Sequence, residues 1–289
     1  VALNGYSEVL ILAGAAALES RSQHPLAQAI LNRAKSDGIQ SRPVEDFQSM
    51  TGSGARGNVG GEQLYIGNPK LFIELGLSIE TVSPQIAKLQ SQGKTVVLLG
   101  TESELHGMIA IADPLRPEAV QAIADLKQAG IEMVVMLTGD NSLTAAAIAQ
   151  QVGVDEVHAE LSPEGKTLKV AELTARYGKV AMVGDGVNDA PALAAAHVGI
   201  AMGAAGTDVA LETADMALMG DDLSRLVYAV ALSHRNQRVI EQNLGLSIIV
   251  IGSLVAGAVA GVFTLPMAVI AHEISEFVVI ASGLRMLRT

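Results

Sequence analysis

Val180-Ala181-Met182-Val183-Gly184-Asp185-Gly186-Val187-Asn188-Asp189-Ala190-Pro191 is the stretch whose reading decides the fold. A short apolar run bounded by turn residues reads as a strand buried on both faces, and this one runs straight into two carboxylates and an amide. The same pattern occurs upstream, where Met133-Val134-Val135-Met136-Leu137 runs into Thr138-Gly139-Asp140-Asn141. Residues 142–152 and 165–176 between the two have helical composition, so 107–225 reads as a doubly wound α/β domain. Ligands of such domains bind outside the carboxyl ends of the strands, where both oxygen-rich turns fall.

The chemistry of those turns is that of phosphate. Paired carboxylates among small residues suit a hard cation such as Mg2+, which takes a few carboxylates, several waters and phosphate oxygens. The Thr138 hydroxyl suits a hydrogen bond to a phosphoryl oxygen, and Lys166 suits neutralisation of charge that builds up during phosphoryl transfer. Either turn alone is ordinary loop punctuation; their order, strand by strand, carries the specificity. Gly93-Lys94-Thr95 and Gly165-Lys166-Thr167 end like a phosphate loop, but positions 88 and 160 are Lys and Glu, so neither has the earlier glycine that motif requires.

With 289 residues, 49% of them apolar and 17% charged, the chain can bury a core. A net charge of −11 without clustered Lys and Arg excludes nucleic acid as a partner. There is no cysteine, hence no disulfide and no thiolate metal site. Val1-Ala2-Leu3-Asn4 carries neither an initiator Met nor a signal peptide and reads as a cut chain. Residues 9–18, between Glu8 and Glu19, are apolar but too few to span a bilayer and read as a core helix.

The end of the chain differs. Residues 244–271 contain no charge, whereas His234, Arg235, Arg238 and Glu241 precede them and Arg285 and Arg288 follow the continuation to Leu284. About 20 residues span a bilayer, so this stretch is long enough for two crossings with a turn at Phe263-Thr264-Leu265-Pro266. Arginines at both outer ends place both flanks in the cytoplasm. Gly245, Gly252, Gly257 and Gly261 suit close helix packing. The second span carries His272, Glu273, Ser275 and Glu276; His272 and Glu276, four residues apart, share a helical face. Ionisable groups at such depth are costly, and imidazole with carboxylate suits a divalent transition metal or a proton relay.

Gly184-Asp185-Gly186-Val187-Asn188-Asp189-Ala190-Pro191-Ala192-Leu193 resembles the hinge signature of P-type ATPases. Asp113-Pro114-Leu115-Arg116-Pro117, Thr138-Gly139-Asp140-Asn141 and Pro163-Glu164-Gly165-Lys166 resemble motifs of the same family, in the same order. Ser22-Gln23-His24-Pro25-Leu26-Ala27 looks like the Ser-x-x-His-Pro-Leu segment of its heavy-metal pumps, and Thr51-Gly52-Ser53-Gly54 like their Gly-x-Gly turn.

The resemblance covers essentially the whole chain and implies a haloacid dehalogenase-like domain into which a small α+β nucleotide-binding domain is inserted, followed by a two-helix transmembrane hairpin. It implies a nucleotide-binding domain over 1–106, the C-terminal part of the phosphorylation domain over 107–225 and the last two membrane helices over 226–289. It further implies that Asp185 and Asp189 serve Mg2+ with Asn188 supporting that site, that Asp113 is a further supporting residue, and that Thr138, Gly139, Asp140 and Lys166 are catalytic, Thr138 and Lys166 contacting the phosphoryl group and Asp140 helping to shape the nucleotide end. ATP would be held by Glu19, His24, Gly52, Gly54 and Asn68.

The last helix departs from the copper, zinc and cadmium patterns of the family. Its His272-Glu273 is similar to the start of the cobalt-type motif, from which Ile274 and Glu276 differ, so the expected cargo is cobalt or a zinc-like divalent cation. The family's nucleophile lies in Asp-Lys-Thr-Gly-Thr, which does not occur here and by resemblance would stand shortly before Val1. The expectation is therefore the C-terminal portion of an ATP-driven metal exporter in a bacterial cell membrane, with soluble domains in the cytoplasm, inactive without its N-terminal half. The rivals are a non-catalytic, membrane-anchored nucleotide-binding fragment and a soluble phosphatase of the same fold.

Overall fold

The computed structural model describes residues 1–22, 25–50, 52–112, 115–184, 189–203, 212–220 and 222–287. The first part consists of α1 (Glu8–Glu19), α2 (Pro25–Ser36), β1 (Val44–Met50), β2 (Gly54–Val59), β3 (Glu62–Gly67), α3 (Pro69–Glu74), α4 (Ser83–Gln90), β4 (Thr95–Gly100) and β5 (Leu105–Ile111). The five strands form one antiparallel sheet in chain order.

Alternation along the strands sorts the core onto two faces. Leu64, Ile66 and Leu99 pack with Ile11 and Leu18 of α1, whereas Tyr65 and Leu98 pack with Phe72 and Ile86 of α3 and α4. The small residues of α1 let it lie close to the sheet: a Cβ at Gly14 would come within 3.2 Å of Leu64 and Leu99. Residues 1–3 run antiparallel along β5, with Val1 and Met108 exchanging two 3.0 Å backbone bonds. The chain thus enters and leaves this unit through neighbouring strands. The sheet also runs on to Ile111, past the boundary expected at 106, because Ile109 and Ile111 still pair with β4.

The second part consists of α5 (Ala119–Gln128), β6 (Val135–Leu137), α6 (Ser142–Val152), β7 (Glu156–His158), α7 (Pro163–Tyr177), β8 (Ala181–Gly184), α8 (Ala190–Ala195), β9 (Val198–Met202) and β10 (Met216–Leu218). All its strand pairs are parallel. Among the described residues the pairing forms two groups, β6 with β7 and β8-β9-β10, and β6 and β8 are each bonded on one side. Helix ends follow the sequence: Asn141 and Ser162 accept backbone N–H bonds at the starts of α6 and α7, and Gly153, at φ +77°, ends α6 in the left-handed region.

Two long helices follow, α9 (Ser224–Val259) and α10 (Leu265–Leu284). Leu226 at the start of α9 is buried with Leu126, Ile200 and Leu218. Farther on, the same helix exposes Ile248, Ile249, Val255 and Val259. Both helices are long and apolar enough to cross a membrane. At the turn, Phe263 sits on Gly257, where a Cβ would come within 2.3 Å of the ring. Gly245 and Gly252, expected to serve close packing, face open space instead.

Candidate functional site

β6 is followed by Thr138, whose hydroxyl donates to Asp140 Oδ2 at 3.0 Å and accepts from the Asp140 N–H at 3.1 Å. This closed turn holds residues 138–140 before α6 begins. The loop after β7 clamps it from the other side: Thr138 N–H donates to the His158 carbonyl, Leu161 N–H to the Thr138 carbonyl, and Glu160 N–H to the Asp140 carbonyl at 2.8 Å. A Cβ at Gly139 would lie 3.3 Å from the Leu161 carbonyl, which leaves little room for a side chain.

Glu160 was not singled out from sequence. It adopts φ +57°, uncommon outside glycine, and its carboxylate accepts from Ser142 Oγ at 2.8 Å. A strained non-glycine residue beside a candidate site is a functional pointer, but no sequence pattern announces it.

Lys166, on the first turns of α7, and Asp189, just before α8, form an ion pair of 2.7 Å. Their side chains are 20% and 14% exposed, so the pair is only partly screened by water. Gly184 explains how Asp189 fits: a Cβ there would lie 2.8 Å from Asp189 Oδ2, so the carboxylate folds over the end of β8 only because position 184 has no side chain. Asp113, Asp185 and Asn188 lie outside the described residues. Among the described residues no group of three His, Asp or Glu side chains converges as a metal cluster.

Of the expected nucleotide residues, Gly52, Gly54 and Asn68 come together at one end of the antiparallel sheet. Asn68 caps α3 by accepting the Leu71 N–H at 3.0 Å, while its amide donates to the Gly52 carbonyl at 3.0 Å. Gly52 adopts φ +75°. At Gly54 a Cβ would strike the Ile66 carbonyl at 2.1 Å, so the turn and β3 approach as only glycine allows. Glu19 is the last residue of α1, and its neighbour Leu18 packs over Gly57 of β2. His24 lies outside the described residues. An open hollow of about 430 Å³ beside Ala16, Leu31 and Ile39 has Lys35 as its ionisable group and belongs to neither cluster.

In the hairpin, His272 Nε2 is 3.3 Å from Glu276 Oε1, and Ser275 Oγ donates to the His272 carbonyl at 2.7 Å. His272, Ser275 and Glu276 line a groove of about 240 Å³ with Ser247 and Ile251 of α9. Glu273 does not line it, and Ser247 is a contributor the sequence had not suggested.

Two ion-paired or hydrogen-bonded groups outside these clusters have shifted titrations. Lys127 at 2.5 Å, and next the Val134 N–H, hold the Asp155 carboxyl below its usual range. The hydrogen bond from Tyr6 to Glu104 pushes the phenol up to about 12.

The sequence profile of the haloacid dehalogenase-like hydrolases matches residues 3–197. The chain belongs to the haloacid dehalogenase-like hydrolases. The chain is 47% identical, over 94% of its own length, to a probable cadmium-transporting ATPase of Listeria monocytogenes. It spans 39% of the length of that relative. The crystal structure of a zinc-transporting PIB-type ATPase in the E2.Pi state superposes with a TM-score of 0.68 at 38% identity, covering 99% of this chain and 46% of that one. The catalytic domain of the CPx-ATPase CopB-B superposes with a TM-score of 0.58 at 25% identity, covering 80% of this chain and 82% of that one. The resemblance to heavy-metal P-type ATPases drawn from the motifs is borne out, as is the combination of a haloacid dehalogenase-like domain with two apolar C-terminal helices.

Proposed function

We propose that this chain is the C-terminal portion of an ATP-driven exporter of divalent metal ions. In this reading residues 1–111 bind ATP, 112–223 position the phosphoryl group, and α9 and α10 cross the membrane and line part of the metal path. The observation that carries it is the Lys166–Asp189 pair at the end of β8, in the same parallel-stranded unit as the closed Thr138–Asp140 turn and followed by two long apolar helices. A soluble phosphatase would have no use for those helices.

The ATP residues are Glu19, His24, Gly52, Gly54 and Asn68, and the pairing of residues 1–3 with β5 supports an inserted unit whose two connections are neighbours. Mg2+ fits the donor set: Asp189 presents hard carboxylate oxygens, one of them already bonded to Lys166, and Asp185 with phosphate oxygens and waters would complete the shell. When bound, the ion would neutralise phosphate charge, while Thr138, Gly139 and Asp140 position the phosphoryl group and Asn188 and Asp113 support the loops. The nucleophilic aspartate would come from sequence preceding Val1. The half-exposed apolar strands β6 and β8 support this, since among the described residues each pairs on one side only and could accept another parallel strand on the other.

The cargo is a divalent cation handled by His272, Ser275 and Glu276, with Glu273 nearby. The names of the relatives favour cadmium or zinc over cobalt. The bacterial cell membrane, with the soluble units in the cytoplasm, follows from the same reading. The test uses the purified chain in lipid nanodiscs. Calorimetry is expected to show Mg·ATP binding, weakened by Asn68→Ala, with no phosphate release stimulated by Zn2+ or Cd2+ until the N-terminal half is co-expressed. Absence of ATP binding, or sustained metal-stimulated hydrolysis by the chain alone, overturns the reading.

A further inference from the structure

Among the described residues only two polar side chains are fully buried, His106 and Thr144, and Thr144 lies on a seam. It belongs to α6, on the phosphoryl side, yet its hydroxyl sits 3.0 Å from the carbonyl of Lys94, in the turn leading into β4 of the nucleotide-side sheet. The same oxygen lies 2.8 Å from Asn141 Nδ2, and Asn141 Oδ1 in turn accepts the Thr144 N–H at 3.0 Å.

The directions of these bonds are fixed. A carbonyl can only accept, so the single hydroxyl proton points to Lys94, and the Asn141 amide must donate to the hydroxyl. Donation runs one way, from Asn141 through Thr144 to Lys94. Gly93, at φ +76°, brings the turn close to α6, where a Cβ would be 3.6 Å from Ile148 and 3.7 Å from Gln151. With Thr144 1% exposed, water does not replace either partner while the two units are docked.

We infer that Thr144 is a positioning residue: its one hydroxyl couples the orientation of the nucleotide-side unit to the Thr138–Asn141 loop. Docking satisfies the Lys94 carbonyl and the Thr144 proton together, and undocking leaves the Asn141 amide with an acceptor free to rotate. Valine would fill nearly the same volume but leave the Lys94 carbonyl without its donor, so only a role in packing alone predicts that valine is tolerated. The inference rests on the proposed function only where it calls this loop phosphoryl-binding.

The absence of cysteine allows selective labelling. The full chain carrying Gln63→Cys and Ala175→Cys, both at exposed positions, is spin-labelled in nanodiscs and the interspin distance distribution is measured by pulsed EPR. The original residue and Thr144→Ser are expected to give one docked population, and Thr144→Val a second, more distant one. A valine variant too unstable to label is replaced by Thr144→Ala, which removes the same hydroxyl. An unchanged distribution in the hydroxyl-free variant, or a second population in Thr144→Ser as well, overturns the inference. An ATP titration of the same samples separates the two readings: lack of ATP binding sinks the functional proposal and leaves the distance result standing.

Discussion

Gly184 and Asp189 show how one missing side chain shapes a site. Adding a methyl at position 184 forces the Asp189 carboxylate off the end of β8 and away from Lys166. Gly184→Ala is expected to destabilise the chain by about 1–3 kcal/mol, the range for overpacking, as measured by chemical denaturation. Tyr6 offers a spectroscopic check. Its folded pKa of about 12 lies above its ordinary value, so the neutral phenol is the form the fold favours. The stabilising contribution is present below pH of about 10 and is lost as pH rises toward the folded value. Tyr6→Phe should remove one ultraviolet titration component near pH 12. At this scale the sequence was informative where a residue type is chemically distinctive. Thr138, Asp140, Lys166 and Asp189 were named as candidates from the order of their turns along the chain and the family motifs they match, and the structure pairs Thr138 with Asp140 and Lys166 with Asp189. Glu160, Thr144 and Ser247 were not named, because their roles depend on a left-handed backbone, a seam between units and a neighbouring helix, none of which has a local signature.

Loops and caps tie the elements together. Asn68 both starts α3 and holds the Gly52 turn, so Asn68→Ala should cost about 1 kcal/mol of stability through the lost cap. It should weaken Mg·ATP binding at the same time. Asp155 joins α5 to the start of the β6 segment through Lys127 and the Val134 N–H. Its folded pKa is depressed, so its contribution is present above the unfolded value of about 3.9 and is lost as pH falls through the lower folded value. The advantage of the original residue over Asp155→Asn in thermal melts should hold at neutral pH, shrink below about pH 4 and diminish with added salt, since the pair is over a third exposed on the Asp155 side. The strands at 133–137 and 180–183 and the helices at 142–152 and 165–176 were foreseen from apolar runs and composition, but their extents less so, and the five-stranded sheet was not read strand by strand. β6 begins at Val135 rather than Met133, and β5 continues to Ile111, because ladder pairing with a neighbour rather than apolar content sets where a strand starts and stops.

The whole chain divides by what each part buries. Leu226 places the start of α9 inside the parallel-stranded unit, so a chain ending at Leu223 should be less stable than one ending at Asn243, by at least about 2–5 kcal/mol, the cost of losing one buried leucine. Comparing the melting of these two truncations checks this, and also whether both stay soluble once the apolar stretch is removed. The two long apolar C-terminal helices were visible in charge distribution alone. The continuity of α9 was not, since the loss of charge after Glu241 marks a change of surroundings but not whether the helix runs through it. That continuity has a mechanical meaning. From Ser224 to Ser247 the helix is unbroken by proline, and at 1.5 Å per residue it covers about 35 Å. A stiff rod of that length acts as a lever: tilting its rooted end by about 10° sweeps Ser247 sideways by roughly 6 Å. That displacement exceeds the 3.3 Å between His272 Nε2 and Glu276 Oε1, so even a modest rocking at the Ser224 end is felt at the depth of that pair.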